Sequence, residues 1–469
     1  MTAYDRRAAQ ETVDRIRHAL EHLPGDAARR RTSSHAAPAA APQPTRLETE
    51  LTSLPEYEIL KIKRAVGDLA GIDNPFYRLH DGRACEVTSM GGRTVVNFSS
   101  YDYLGLNGHP DVASAAKRAI DQFGTSVSAS RLSAGERQVH RDLEETLARL
   151  HGTEAALAFV SGHATNVSVI GGLLGPEDLI VSDSVVHQSV LDGIKLAGAK
   201  RILCPHGDIE AFDRALRLNR ARYRRALIVV EGLYSMDGDV VDLAALIKLK
   251  RRYGAWLMVD EAHSVGVLGA NGRGLAEEQG IVPAEVDIWM GTLSKTFCAS
   301  GGYIAGSRPL IELLKYTTSG FVFSVGLSPP IAAAATAAIE LMSKETWRLG
   351  KLRENGRAFL KAAHARQLDT GLSIGASVIP IIVGNSPHAV ILSERLLARG
   401  YNAVPAIFPG VAENQARIRF FITSGHSLEQ IHDVIDAVAD ELPKVRNSPT
   451  FIQMVGKQHS APSVEKARE

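Results

Sequence analysis

Between Pro110 and about Pro330, short continuously apolar runs alternate with stretches of helical period. The runs are Ala155–Val160, Leu179–Ser182, Lys200–Cys204, Ala226–Glu231, Trp256–Asp260, Ile288–Gly291 and Gly302–Ala305. Apolar residues at consecutive positions point to both sides of the pleat, so these strands must be covered on both faces, as parallel strands are. Their alternation with helices predicts an α/β sheet packed on both sides. Upstream, residues 83–98 alternate about Gly91-Gly92 and predict a β-hairpin. Downstream, an Ala-rich helix is expected near 329–343, followed over 350–445 by a smaller α+β pattern.

The ends read differently. Val13, Ile16, Leu20 and Leu23 recur at helical spacing in residues 5–23, and Pro24-Gly25 stops that helix. Ala27 to Arg46, with its run AAPAAAPQP, has too little apolar content for a core and reads as a linker. Residues 55–70 look helical, and the polar tail after Asn447 reads as mobile. The expected division is a helix and linker over 1–50, an N-terminal segment over 51–109, a large domain over 110–335, a small C-terminal domain over 336–446 and a tail over 447–469.

Composition adds exclusions. Of 469 residues, 45% are hydrophobic and 22% charged, an ordinary globular balance. The net charge of +1 supplies no global field to draw in nucleic acid or an anionic membrane, so neither is an expected partner. The three cysteines, Cys85, Cys204 and Cys298, lie far apart, which fits a reducing compartment and offers no metal-ligand spacing. No apolar run reaches membrane-spanning length and no secretory h-region opens the chain, so a cytoplasmic protein is expected.

The chemistry-bearing residues cluster just after the strands, where open α/β sheets bind ligands. Trp256–Asp260 ends in an acid, with His263 three residues on. Asp260 reads either as a helix cap or as the partner of a cationic ring nitrogen. Ile288–Thr292 leads to Ser294 and Lys295 among small residues, where burial lowers a lysine pKa and suits Schiff-base chemistry. The hydroxyls of Thr292 and Ser294, and the turn Ser161-Gly162-His163 opening a helix, suit an anion such as phosphate. His187, in DSVVHQS, is either a capping residue or a ring that stacks on a flat ligand. EGLYSMDGD, with Ser235, is either a turn or part of the same site. A Schiff-base lysine with an acid for a pyridinium nitrogen is what pyridoxal phosphate (PLP) requires.

Taken together, NFSSYDYLGL (97–106), SGHATN, DSVVHQS, EGLYSMDGD, VDEAHSVGVLGANGRG (259–274) and GTLSK resemble, in order and spacing, the α-oxoamine synthases. The resemblance covers roughly residues 75–440. It implies a fold-type I PLP transferase with a large, mostly parallel seven-stranded sheet and a smaller C-terminal α+β domain, assembled as a homodimer with active sites at the subunit interface. It implies a PLP-dependent C-acyltransferase joining glycine, alanine or serine to an acyl thioester, with loss of CO₂, to give an α-amino ketone. Matching motif to motif, Lys295 would carry PLP as a Schiff base, Asp260 would pair with the ring nitrogen, and His263 with Ser235 would bond the ring hydroxyl. His187 would stack on the ring and assist catalysis, while the backbone around Gly162 and His163, with Ser161 and Thr292, would hold the phosphate. Ser324, in FVFSVGLSPP, would reach the partner subunit's phosphate, and Arg419, in ARIRFFITSGH, would bind the substrate carboxylate.

Two departures stand out. Tyr101, a substrate-binding candidate, stands where many members have Asn, whereas serine palmitoyltransferases have Tyr. Phe408-Pro409-Gly410 replaces the usual Arg-Pro-Pro, in a segment one residue shorter, which puts in doubt a second arginine contact that some relatives use. GTSVSASRLSAGE (124–136) and ARIRFFITSGHS look most like the polyketide-associated members, which implies an acyl-carrier-protein donor. The alternatives are an acyl-CoA donor in serine-palmitoyltransferase-like or 8-amino-7-oxononanoate-synthase-like chemistry, an aminotransferase or lyase on the same fold, and a scaffold subunit. The last would lack the lysine that is present here.

Overall fold

The computed structural model describes residues 50–54, 57, 60 and 73–447. The helix over 5–23, the linker, nearly all of the helix over 55–70 and the tail after Asn447 lie outside the described residues. The chain divides into two compact units, Met1–Lys63 and Arg64–Glu469. The first contributes a short 3-10 turn, Leu51–Ser53. Everything below concerns the second.

Its centre is a seven-stranded sheet of β3 (Ala155–Phe159), β4 (Leu179–Asp183), β5 (Lys200–Cys204), β6 (Ala226–Glu231), β7 (Trp256–Asp260), β8 (Ile288–Thr292) and β9 (Gly302–Gly306), in the order β3-β9-β8-β7-β6-β4-β5. Alternate residues of one strand feed two separate cores. In β6, Ala226, Ile228 and Val230 face one, and Leu227 and Val229 face the other. The first core is closed by Leu143 and Leu147 of α1 (Gln138–His151) and Phe212 and Leu216 of helix 209–219, the second by Val169 and Ile170 of α2 (Gly162–Leu173) and Val190 and Ile194 of α3 (Gln188–Ala197). This two-sided covering is what the unbroken apolar runs require.

Two features depart from the run-by-run expectation. Strand β9 is antiparallel to both neighbours, β3 and β8. The segment 293–301 between β8 and β9 is too short for a crossover helix, so the chain must return antiparallel. That tight return carries Ser294 and Lys295. Strand β5 is only partly buried, with Lys200 and Leu203 exposed, because it is the edge of the sheet.

The hairpin appears as β1 (Val87–Met90) and β2 (Arg93–Asn97), with Met90 opposite Arg93 across Gly91-Gly92. Both glycines have positive φ, the conformation this turn demands. The hairpin gains a third strand from far along the chain, β11 (Tyr401–Asn402), parallel to β2. A second three-stranded sheet is built from β10 (Val378–Gly384), β12 (Pro405–Ala406) and β13 (Ala416–Phe421), in the order β10-β13-β12. Strand β13 carries Arg417 and Arg419.

One buried ion cluster braces the segment ahead of α1. Arg131 pairs with Glu136 at 2.7 Å and with Glu144, whose carboxylate also accepts from the Ala158 N–H at 2.9 Å. Burial opposes the guanidinium charge, but the two carboxylates outweigh it and hold Arg131 above its ordinary pKa. Nearby, Ser130 Oγ donates to the Val322 carbonyl (2.7 Å) and the Gly326 N–H to the Ala129 carbonyl (3.0 Å), so the Ser324 segment hangs on this brace. Arg131→Ala leaves the buried Glu144 without its partner and is expected to cost about 3–5 kcal/mol. Urea unfolding of the variant measures this, and a loss under about 1 kcal/mol, the surface-pair range, contradicts the role given to the cluster.

Candidate active site

The carboxyl ends of β3, β4, β6, β7 and β8 lie along one edge of the sheet, and Glu231 of β6 stands directly across from Asp260 of β7 in the register. An acid at the end of an otherwise apolar strand is expensive to bury unless it is used. Both are buried, at 3% and 4% exposure.

Asp260 is held from two sides. Its Oδ1 accepts the Ala262 N–H at 3.0 Å, and its Oδ2 accepts from Asn166 Nδ2 at 2.8 Å. Asn166 sits in the second turn of α2, which Ser161 caps through its own hydroxyl to the Ala164 N–H (3.0 Å). The other hydrogen of the Asn166 amide goes to Ser189 Oγ at 3.0 Å, so the Ser189 hydroxyl hydrogen is free for His187 Nδ1, 2.7 Å away. The Ser189 backbone N–H also donates to that nitrogen, at 3.3 Å. Two donors on Nδ1 leave the ring proton on Nε2. One amide therefore orients the Asp260 carboxylate and sets the tautomer of His187.

His263 is arranged in parallel. Its Nδ1 lies 2.7 Å from the hydroxyl of fully buried Tyr103. Burial keeps that phenol protonated and pushes the His263 pKa well down, with Lys295, Arg419 and His187 adding to the effect. Tyr103 thus donates, and a neutral His263 keeps its other N–H for a ligand. Lys295 follows β8 and is half-buried, its amine 6.0 Å from the centre of the Tyr101 ring. Burial lowers its pKa below the lysine range, against the pull of the Asp260 and Glu231 carboxylates, and Arg419 lowers it further. Glu231 moves the other way, raised by burial and by Asp260.

Arg419 reaches over from β13, where Nη1 donates to the Ser235 carbonyl at 2.9 Å and the guanidinium lies 5.1 Å from the Phe421 ring centre. Phe421 also packs edge-on against Tyr101, with centroids 4.8 Å apart. The Ser235 N–H donates to Glu231 Oε2 at 3.0 Å, which shapes the loop.

The geometry fits the PLP reading. At the phosphate end, a Cβ on Gly162 would stand 3.0 Å from Thr292 Oγ1, so only glycine leaves that cradle open. The Thr292 and Ser294 hydroxyls lie 2.7 Å apart beside the N-terminus of α2. At the other end, Glu231 Oε1 and Asn166 Oδ1 are buried without a hydrogen-bond partner. The donor set therefore comprises an amine, an oriented carboxylate, two neutral imidazoles and a helix N-terminus. The buried members fix positions, while Lys295, His187, Arg419 and Tyr101 face accessible space.

The His163 imidazole turns outward to Asp192 (3.3 Å), which leaves its backbone for a phosphate, while the Ser161 oxygen accepts the Ala164 N–H and keeps its own hydroxyl hydrogen to donate. Ser324 donates to the adjacent Val325 carbonyl (3.3 Å) and not to the cluster. The sequence reading had not singled out Asn166, Ser189, Tyr103 or Glu231, although all four lie inside the quoted motifs.

Residues 93–438 match the family of aminotransferases of class I and II. The chain is 40% identical to 8-amino-7-oxononanoate synthase 1 of Bacillus velezensis over 360 residues, 76% of this chain and 90% of that protein. It is 40% identical to the 8-amino-7-oxononanoate synthase of Geobacter sulfurreducens over 350 residues, 74% of this chain and 89% of that one. Among solved structures, the serine palmitoyltransferase of Sphingomonas wittichii superposes with a TM-score of 0.80 at 29% identity, covering 85% of this chain and all of that one (100%). A serine palmitoyltransferase from S. paucimobilis with a bound PLP–myriocin adduct gives 0.80 at 27%, covering 85% of this chain and 99% of that one. The chain belongs to the α-oxoamine synthase family of PLP-dependent acyltransferases.

Proposed function

We propose that this protein condenses a small α-amino acid (glycine, L-alanine or L-serine) with an acyl thioester, giving an α-amino ketone, CO₂ and the free thiol. The observation that carries this is the grouping of a carboxylate anchor, a base and an oxyanion donor, Arg419, Lys295 and His187, around the oriented Asp260. PLP, when bound, supplies the carbonyl that takes the substrate amine and the electron sink that acidifies Cα.

This chain's residues do the rest. Arg419 spends one N–H on the Ser235 carbonyl and has others left to clamp the substrate carboxylate, which fixes the Cα–H direction. Lys295, its pKa lowered by burial, takes the Cα proton as general base near neutral pH. His187, protonated on Nε2, donates to the thioester carbonyl oxygen as charge develops there. Asp260, held by Asn166, would pair with a cationic ring nitrogen of bound PLP. Neutral His263, with Ser235, would hold the ring hydroxyl. Within the molecule, residues 110–335 carry the cofactor side of the site and 336–446 the arm with Arg419. A homodimer belongs to the same proposal, with Ser324 reaching the second copy's phosphate.

Acyl-CoA is the donor we favour. The relatives reported above are named for oxononanoate synthesis and palmitoyl transfer, whereas a carrier-protein donor rests on the look of two segments, GTSVSASRLSAGE and ARIRFFITSGHS. Steady-state kinetics with acyl-CoA and with the same acyl group on a carrier protein, tested against each of the three amino acids, decides the point. Higher kcat/KM with acyl-CoA is expected, and the reverse order restores the carrier-protein donor. Turnover with neither overturns the condensation itself.

A further inference from the structure

A second charged cluster lies beside the site and takes no part in the chemistry above. His206 follows β5, and its Nδ1 stands 3.1 Å from Asp183 Oδ2 while its Nε2 stands 3.1 Å from Asp239 Oδ2. Both ring nitrogens face carboxylates, and only a doubly protonated ring can donate to both.

The two acids belong to different loops. Asp183 is the fully buried last residue of β4, and it also accepts the Val185 N–H (2.9 Å) and the Gly207 N–H (3.0 Å), so it shapes the turn that runs on to His187. Asp239 closes the turn that holds Ser235, its carbonyl accepting the Tyr234 N–H at 2.9 Å. The Tyr234 ring meets His206 edge-on, with centroids 4.4 Å apart. The far side of that turn is held from β13, by Arg417 on Asp237 (2.6 Å) and on the Met236 carbonyl (3.1 Å). No His, Cys, Asp or Glu group among the described residues is arranged to hold a metal ion, so the cluster is an ion bridge rather than a metal site.

We infer that the Asp183–His206–Asp239 bridge is a positioning device that sets the spacing between the His187 loop and the Ser235 loop, the two loops that must close on opposite parts of the same substrate-loaded site. His206 touches no reacting atom; it acts through the loops. The inference rests on the condensation reading for its effect on turnover, but not for its effect on His206 itself.

The groups facing His206 are Asp183 on β4 and Asp239 and Tyr234 on the Ser235 loop, while Asp208 and Arg214 of helix 209–219 act on Cys204, two residues before it. Burial works against the imidazolium, but the two carboxylates outweigh it and raise its pKa to about 10. A raised folded-state pKa means that the bridge's contribution to stability is fully present below the ordinary imidazole value, about 6.5. Its contribution is lost as pH rises through about 10.

Two readouts test this. Ring-nitrogen NMR of the apo protein follows the charge of His206, and kcat of the PLP-loaded wild type, His206→Gln, Asp239→Asn and their double variant follows the loops. We expect His206 to stay doubly protonated at pH 8 in wild type and to titrate lower in Asp239→Asn. We expect each single variant to lose about 10- to 100-fold in kcat through loop misplacement, with the double variant no worse than either single. A purely structural role would lower the unfolding temperature but leave kcat unchanged. A neutral His206 at pH 8, or variants with wild-type kcat, would overturn the inference, and Asp239→Asn alone decides if His206→Gln does not fold. If wild type itself does not turn over, the condensation reading fails, and the NMR titration alone judges the bridge.

Discussion

Lys295→Ala is expected to abolish covalent attachment of PLP and to cut condensation by at least about 10²–10⁴-fold, the range of a lost general base. Lys295 sits on the tight return between β8 and β9, beside the Asp260 and Glu231 carboxylates and the Arg419 guanidinium. Burial lowers its pKa, so a useful fraction of free amine exists well below the lysine range. A depressed folded-state pKa means that the charged lysine costs the apo protein stability at low pH, a cost relieved as pH rises toward the unfolded lysine value of about 10.4. Replacing it should therefore leave the apo fold intact or slightly firmer. Borohydride reduction followed by peptide mass mapping should find pyridoxyl phosphate on Lys295 in wild type and on no residue in the variant. A variant that still condenses at a near-wild-type rate would remove the base assigned here.

The second large effect is expected at Asp260. Asp260→Asn is nearly isosteric, yet it replaces a carboxylate that accepts from Asn166 and Ala262 with an amide. The charge proposed to pair with the ring nitrogen is lost, and one face of the new amide meets the Asn166 N–H₂. Loss of a preorganised charge of this kind costs roughly 10²–10³-fold in kcat. Because Asn166 also sets the His187 tautomer through Ser189, a displaced Asn166 should alter the His187 ring-nitrogen signals as well. Visible spectra of the loaded variant, kcat and the His187 NMR signals check the three parts separately. Unchanged kcat would contradict the role given to Asp260.

Much of this was legible in the chain because buried strands must be apolar throughout. The seven runs located the sheet, and the acids or hydroxyls ending them located the edge where ligands bind. Lys295, Asp260, His187 and His263 stood out as polar groups in small or apolar surroundings, where a charge has to be used or compensated. What the pattern did not show were partners whose value is relational. Asn166 and Ser189 look like ordinary helix residues, and only the fold brings one amide between a carboxylate on β7 and a serine on α3. Tyr103 is an aromatic in a buried turn until the fold brings His263, 160 residues on, to its hydroxyl. The antiparallel course of β9 followed from the length of one connection rather than from hydrophobicity. The pairing of β11 with β2 joins strand pieces too distant, and in one case too short, for periodicity to register.

The central claim is a condensation in which carbon–carbon bond formation and loss of the amino-acid carboxylate go together. The most direct test is to incubate the PLP-loaded protein with carboxyl-¹³C glycine, L-alanine or L-serine, with and without acyl thioester, and to measure labelled CO₂ and free thiol in the same tube. The account predicts equal amounts of both, dependent on the thioester, with one amino acid strongly preferred. Conversion of the cofactor to pyridoxamine phosphate by the amino acid alone, with no labelled CO₂, would contradict it and make the protein an aminotransferase.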